Sequence, residues 1–233
     1  MTKTLRLLLV LVIPLFLLGF QWPTFLNPNS ETLGTKRWVD REIALLTAAK
    51  EHADPYVLRL SLNAYLKARK QGLDDKQLLT VIDFTKPSSE KRLWVIDIKR
   101  AKALINTWVS HGKNSGKTEA TSFSNSPGSL KSSLGVFVTD NDPYQGNHGY
   151  SLRLYGLEPG FNDKAYQRDI VIHGAWYVNE DVIKRYGAIG RSFGCPAVSE
   201  ETIKPLIDTI KQHTLVVAYY PDANWLAHSN FLS

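Results

Sequence analysis

Near Thr80 the hydrophobic spacing of this chain changes from a helical repeat to a period of two. Before that point, Trp38, Ile43, Leu45, Leu46 and Ala49 fall on one helical face over 37–52. Asp54-Pro55 then reads as an N-cap followed by proline at the first helical position, opening a helix that carries Val57, Leu58, Leu62, Tyr65 and Leu66 and stops near Gly72. A short third helix is expected from Asp74 to Leu79. After it, alternating apolar stretches predict strands at 80–84, 91–98, 103–110, 134–138, 150–157, 169–173 and 214–220. Helices are expected only at 179–186 and at 200–212, the second capped by Ser199. The pattern implies a mainly β barrel or sandwich with few helices, preceded by a small helical region at 37–79 and occupying 80–225. The 112–133 stretch, rich in Gly, Ser, Asn and Lys, reads as a long loop, which in a compact domain is functional or mobile.

The first 26 residues have a different character. Lys3 and Arg6 precede an uncharged apolar run from Leu7 to Phe20, the pattern of an export signal. That run is short for a full span, which needs about 20 apolar residues. No clear cleavage site follows, so the segment is expected either to be removed or to stay as an N-terminal membrane anchor, with 27–36 as a linker. The whole chain is 43% hydrophobic and 21% charged, ordinary for a globular protein. The formal charge of +6 is spread without a Lys/Arg block, and there is no nucleic-acid-binding signature; a modest basic surplus suits an anionic cell envelope or simply a solvated surface.

An exported chain normally uses cysteines in pairs, yet this one has a single cysteine, Cys195. Gly194 before it permits unusual backbone geometry, Pro196 after it fixes the chain, and backbone amides and a following helix N-terminus near the thiol would favour an oxyanion and a thiolate. A buried inert thiol is the competing reading. Among six histidines, His173, ending an apolar strand before Gly174, is the best candidate base; His111 and His148 also precede glycine in polar loops and either line a site or cap turns. His52, His213 and His228 read as surface residues. No HExxH, CxxC or GxSxG occurs, so neither a metal site built on His148, His173 and Cys195 nor a serine mechanism has motif support, and no cofactor is expected.

His173-Gly174, seventeen residues, then Ser192-Phe193-Gly194-Cys195 resembles the catalytic motif of YkuD-type L,D-transpeptidases, in which His-Gly is followed at about that distance by Ser/Thr-His-Gly-Cys. Ser133-Leu134-Gly135-Val136-Phe137 is similar to the Thr-Gly-x-Phe strand entry of such domains, and the resemblance covers roughly 88–220. Phe193 and Ala197 stand where the family usually has His and Arg or Asn, as in a divergent branch described as a murein L,D-transpeptidase catalytic domain family. The resemblance implies a YkuD-like β fold and a cell-envelope acyltransferase with Cys195 as nucleophile and His173 as general base and acid. It implies peptidoglycan stem peptides as substrate, with an amine from a second stem or an envelope protein as acceptor; water as acceptor would make a carboxypeptidase. Gly194, Ser192, Arg191, Gly174, His111 and His148 are the candidate substrate or oxyanion contacts. A sortase-like enzyme fits poorly because Arg191 lies too close before Cys195, and the remaining non-enzymatic reading is a peptidoglycan-binding envelope protein.

Overall fold

The computed structural model describes residues 32–48, 53–74 and 76–232. The export segment expected at 1–26, most of the 27–36 linker, the end of the first helix and His52 lie outside the described residues. No helix among the described residues is long and apolar enough to cross a membrane.

Two helices open the described chain. Helix α1 (Lys36–Ala48) buries Trp38, Val39, Ile43 and Leu46 along one stripe. Helix α2 (Pro55–Lys70) starts as its sequence dictates: the Asp54 carboxylate accepts from the Tyr56 and Val57 amides at 2.7 and 3.2 Å, satisfying two orphan donors of the first turn. Lys67, Arg69 and Lys70 in its last turn complement the helix dipole. The expected third helix at 74–79 is not formed by the described residues. The Asp74 carboxylate instead accepts from the Gln77 amide at 3.1 Å and from Arg69 at 3.2 Å, Gln77 takes a φ of 57°, and strand β1 begins at Leu78. An aspartate that bonds the backbone locally turned the chain before the helical period could extend.

The strands are β1 (Leu78–Asp83), β2 (Leu93–Asp97), β3 (Lys102–Thr107), β4 (Gly135–Thr139), β5 (Tyr144–Gly146), β6 (Gly149–Gly156), β7 (Val171–Gly174), β8 (Ala197–Val198) and β9 (Leu215–Tyr219). They make one sheet in the order β3-β2-β1-β9-β4-β6-β7-β8, with β5 paired to β6 as a hairpin. The β1–β9 and β7–β8 pairs are parallel and the others antiparallel. Strands β1 and β9 are buried along their whole length because α2 packs on them from outside and the apolar core fills the inside. Beyond Thr107 the chain leaves β3 and reaches the far end of the sheet: the Ser110 amide donates to the Ala197 carbonyl at 2.8 Å, and Gly112 bridges Ser192 in parallel. Those contacts nearly close the sheet on itself, so the fold is mainly β, as the period-two pattern implied, and of its two expected forms, barrel or sandwich, it is barrel-like.

Three helices follow: α3 (Glu180–Tyr186), α4 (Glu200–Ile210) and α5 (Ala223–His228). Asn179 and Ser199 cap α3 and α4 through their side chains, and Gly187 ends α3 at φ 75°. Helix α4 lies against β6 and β7 and buries Ile203, Leu206, Ile207 and Ile210 there. The chain end is tied back by the buried Glu158 carboxylate, which accepts from the Val136 amide at 2.7 Å, from Trp225 Nε1 at 3.0 Å and from Ser229 Oγ.

Candidate active site

The register of β6, β7 and β8 delivers the site. Ser151 of β6 stands opposite His173 of β7, and His173 stands opposite Ala197 of β8. Cys195 lies two residues before Ala197, so parallel pairing sets the thiol-bearing turn beside the end of β7. His173, Cys195, His148, Gly174, Arg191 and Ser192 all line one cavity of about 500 Å³, with Trp176, Tyr177 and Phe193 completing its apolar side. That volume suits a peptide-sized ligand.

The His173 ring is held by the backbone. Its Nδ1 lies 2.9 Å from the Gly174 carbonyl, which as an acceptor requires Nδ1–H and leaves Nε2 with a lone pair. Burial pushes the imidazolium below its ordinary 6.5, the Gly174 carbonyl opposes that shift, and His148 adds to it. The His148 ring stacks on His173 with centroids 4.4 Å apart and planes at 22°. His148 reaches this position because it sits at the tip of the β5–β6 hairpin, between the paired Gly146 and Gly149.

Cys195 is half-buried in the turn before β8. Burial pushes its thiol above the ordinary 9.0, while the Val171 amide and the Arg168 guanidinium pull the other way and Asp169 adds to the rise. The Sγ–H donates to the Asp169 carbonyl at 3.5 Å. The helix expected after the cysteine is α4, capped by Ser199 as its sequence suggested; it opens with Glu200 and Glu201, and the two-residue β8 lies between it and the thiol. Burial thus favours the uncharged form of both the thiol and the imidazole that line this cavity.

The turn around the thiol is locked from below. Gly194 takes a φ of 130°, and a Cβ there would stand 2.8 Å from the Lys131 carbonyl oxygen. Its amide donates to Ser192 Oγ at 3.1 Å and its carbonyl accepts from Ser132 Oγ at 3.1 Å. Ser192 Oγ in turn donates to the Cys195 carbonyl at 2.6 Å. Ser192 and Gly194, expected as substrate contacts, thus spend their polar atoms on the turn itself. Gly174 lines the cavity and also packs on α4, where a Cβ would come within 3.0 Å of Ile203.

His111 is placed elsewhere. It is fully buried, its Nδ1 accepts from Arg92 Nη2 at 2.7 Å, and burial next to that cation pushes it down to about 4. It does not line the cavity; it anchors the segment that closes the sheet, through its carbonyl to the Ser192 amide at 2.9 Å. Phe193 is 66% exposed with Lys113 4.6 Å above its ring, and Ala197 is buried within the β8 pairing.

Two site residues escaped the sequence reading. Arg168 donates to the Ser124 and Lys131 carbonyls at 2.6 Å each, to Ser133 Oγ at 2.5 Å and to Ser129 Oγ at 3.2 Å. It clamps the 112–133 loop into a wall behind the thiol and sets a positive charge close enough to lower the Cys195 pKa. Tyr177 shares the cavity, and burial holds its phenol above 10.0. No family motif marked either residue, because each works through tertiary contacts with distant segments. Among the described residues, no group of three or more His, Cys, Asp or Glu side chains converges to hold a metal ion.

No curated protein matches. Among solved structures, an L,D-transpeptidase from Mycobacterium smegmatis is similar at 14% identity and a TM-score of 0.37, over 62% of this chain and 59% of that one. L,D-transpeptidase 1 from Mycobacterium tuberculosis is similar at 13% identity and a TM-score of 0.34, over 62% and 60%. An L,D-transpeptidase from Stackebrandtia nassauensis is similar at 12% identity and a TM-score of 0.37, over 82% and 96%. The chain thus spans less than two thirds of the two mycobacterial enzymes. The family model described as L,D-transpeptidase catalytic domain matches residues 49–219, which takes in α2 as well as every strand of the sheet. The chain belongs to the L,D-transpeptidase catalytic domain family.

Proposed function

We propose that this protein is a cell-envelope cysteine L,D-transpeptidase that acts on peptidoglycan stem peptides through a thioester on Cys195. The observation that carries the reading is that one cavity holds the half-buried Cys195 thiol together with His173, whose Nδ1 is committed to the Gly174 carbonyl and whose Nε2 is left to accept a proton.

In the first half-reaction His173 Nε2 takes the thiol proton as Sγ attacks the carbonyl of the third stem residue. A sulfur–carbon bond forms, and the carbonyl oxygen becomes an oxyanion. Among the described residues the Cys195 amide has no protein acceptor, unlike that of Gly194, and we assign it to the oxyanion. Collapse breaks the bond to the terminal D-alanine, whose nitrogen leaves with the proton from His173. An amine then attacks the thioester, gives a proton to His173 and releases Cys195; water in the same role yields a carboxypeptidase. The expected export or anchoring by residues 1–26 would bring the domain to this substrate in the envelope.

A carbapenem offers the acyl group in a form the enzyme cannot readily release. The test is intact mass after incubation with a carbapenem. One adduct per chain is expected, absent in Cys195→Ala and formed about a hundredfold or more slowly in His173→Ala. A folded protein that gains no mass would overturn the assignment of Cys195, and an adduct persisting in Cys195→Ala would do the same.

A further inference from the structure

A second cavity, larger than the one that holds the thiol, opens beside it. It encloses about 730 Å³ and is lined by Lys117, Trp176, Tyr177, Arg185, Tyr186 and Arg191 among others. Trp176, Tyr177 and Arg191 line both cavities, so an occupant of the second can extend to the thiol through that shared wall. Three cations face this space against one acid, Asp181, which Lys184 approaches at 3.9 Å. Arg191 is braced there by its Nη1, which donates to the Lys113 and Gly116 carbonyls at 3.0 Å each. Trp176 and Tyr186 are each 71% exposed, although large aromatic side chains lose most of their contact energy when left in water. Exposed rings on a concave wall rimmed by cations are a surface shaped for an anionic ligand with flat or apolar faces.

The other flank of Trp176 has the opposite sign. A cleft of about 360 Å³ there is lined by Glu180, Glu200 and Glu201 as well as Asp181. A carboxylate-bearing ligand is repelled on that side and attracted on this one, which gives the approach to the thiol a fixed electrostatic direction.

We propose that the basic groove is the seat of the second substrate, a carboxylate-bearing amine that attacks the thioester, with Lys117, Arg185 and Arg191 holding its carboxylates and Trp176 and Tyr186 covering its backbone. This inference rests on the transpeptidase reading, because only a two-substrate reaction needs a second seat within reach of the thioester. The chemistry of the step is balanced as above: the amine nitrogen bonds to the thioester carbon, the carbon–sulfur bond breaks, and the amine proton passes to His173 and on to the departing sulfur. Holding the acceptor's carboxylates in the groove would raise the local amine concentration at the thioester and favour aminolysis over hydrolysis.

The test uses a tetrapeptide stem as donor and two acceptors, 2,6-diaminopimelic acid and its diamide, compared at equal free-amine concentration. Thioester formation on Cys195 is followed by intact mass, and the products by chromatography. For the wild-type chain the acid is expected to react about tenfold faster than the diamide. Lys117→Gln/Arg185→Gln should bring that ratio close to one, and Arg185→Glu, which changes the groove's charge by the same two units, should lower it to a similar extent. All the affected side chains are exposed, and circular dichroism with thermal unfolding checks that the variants fold. A wild-type thioester that reacts equally with both acceptors would overturn the inference while leaving the transpeptidase reading intact. A loss in the variants confined to thioester formation, with the acceptor ratio unchanged, would put the donor in the groove and likewise overturn it. If the wild-type chain forms no thioester at all, the transpeptidase reading has failed and the inference falls with it.

Discussion

At the scale of single residues, the proposed chemistry turns on two groups whose proton affinities are shifted in opposite directions by burial. Cys195 is pushed above 9.0 and His173 below 6.5, so at neutral pH both are uncharged. This differs from a resting thiolate–imidazolium pair, which needs a strongly electropositive setting; here Arg168 supplies only a partial counterweight. The sign of the pH dependence follows. Protonated His173 cannot accept the thiol proton, and its affinity is depressed, so the acid limb of kcat/KM is expected below pH 6.5, with no decline up to about pH 8. Carbapenem acylation rates measured across pH 4–9 check this, and a limb at or above pH 6.5 would contradict it. Cys195, His173 and His148 were legible as candidates because their types and their neighbouring glycines are visible in the sequence. The role of His111 was not, since the same His-Gly dipeptide occurs there, and only the buried Arg92 beneath it shows that its Nδ1 is already taken. Arg168 was invisible for the same reason: its four acceptors come from segments 35 to 44 residues away.

Among the elements, the turn between Arg191 and Pro196 matters most, because it converts strand register into thiol position. Its geometry is set by Gly194 at a φ of 130° against the Lys131 carbonyl, and by the Ser192 hydroxyl bridging two of its backbone groups. A methyl at Gly194 must move either that turn or the loop wall behind it. Gly194→Ala is expected to lower stability by about 2 kcal/mol through backbone strain and the carbonyl clash, and to slow acylation because the thiol moves with the turn. Chemical denaturation and the carbapenem rate measure the two effects, and a variant as stable and as fast as the parent would contradict this account of the turn. The long strands and helices α2, α3 and α4 were readable from periodicity and cap residues, whereas α5, a six-residue helix capped by Asp222, was not. Strands β5 and β8 were not, at three and two residues, since so short a run carries no period. The 74–79 segment misled because its apolar residues fit a helix while Asp74 and Gln77 had the means to turn the chain.

For the molecule as a whole, near-closure of the sheet is what assembles the site. Segment 108–112 crosses from β3 to β8 and the cysteine turn, carried by the Ser110–Ala197 and His111–Ser192 backbone bonds and anchored by the buried Arg92, which donates to the Val109 carbonyl at 2.9 Å and to His111 at 2.7 Å. The ends of the strand order thus meet beside the thiol, and the grooves on either side of Trp176 open from that junction with opposite charge. A mainly β fold followed from alternation in the sequence, but closure did not, because it depends on an irregular segment whose partners lie some 85 residues onward. In the proposed function this closed end is an acyl-transfer site for stem peptides. It is tested most directly by release of D-alanine from a purified disaccharide-tetrapeptide. Catalytic release by the wild-type chain is expected, with a thioester on Cys195 trapped by acid quench, and none from Cys195→Ala; folded wild-type protein that releases no D-alanine, or release undiminished in Cys195→Ala, would contradict this function.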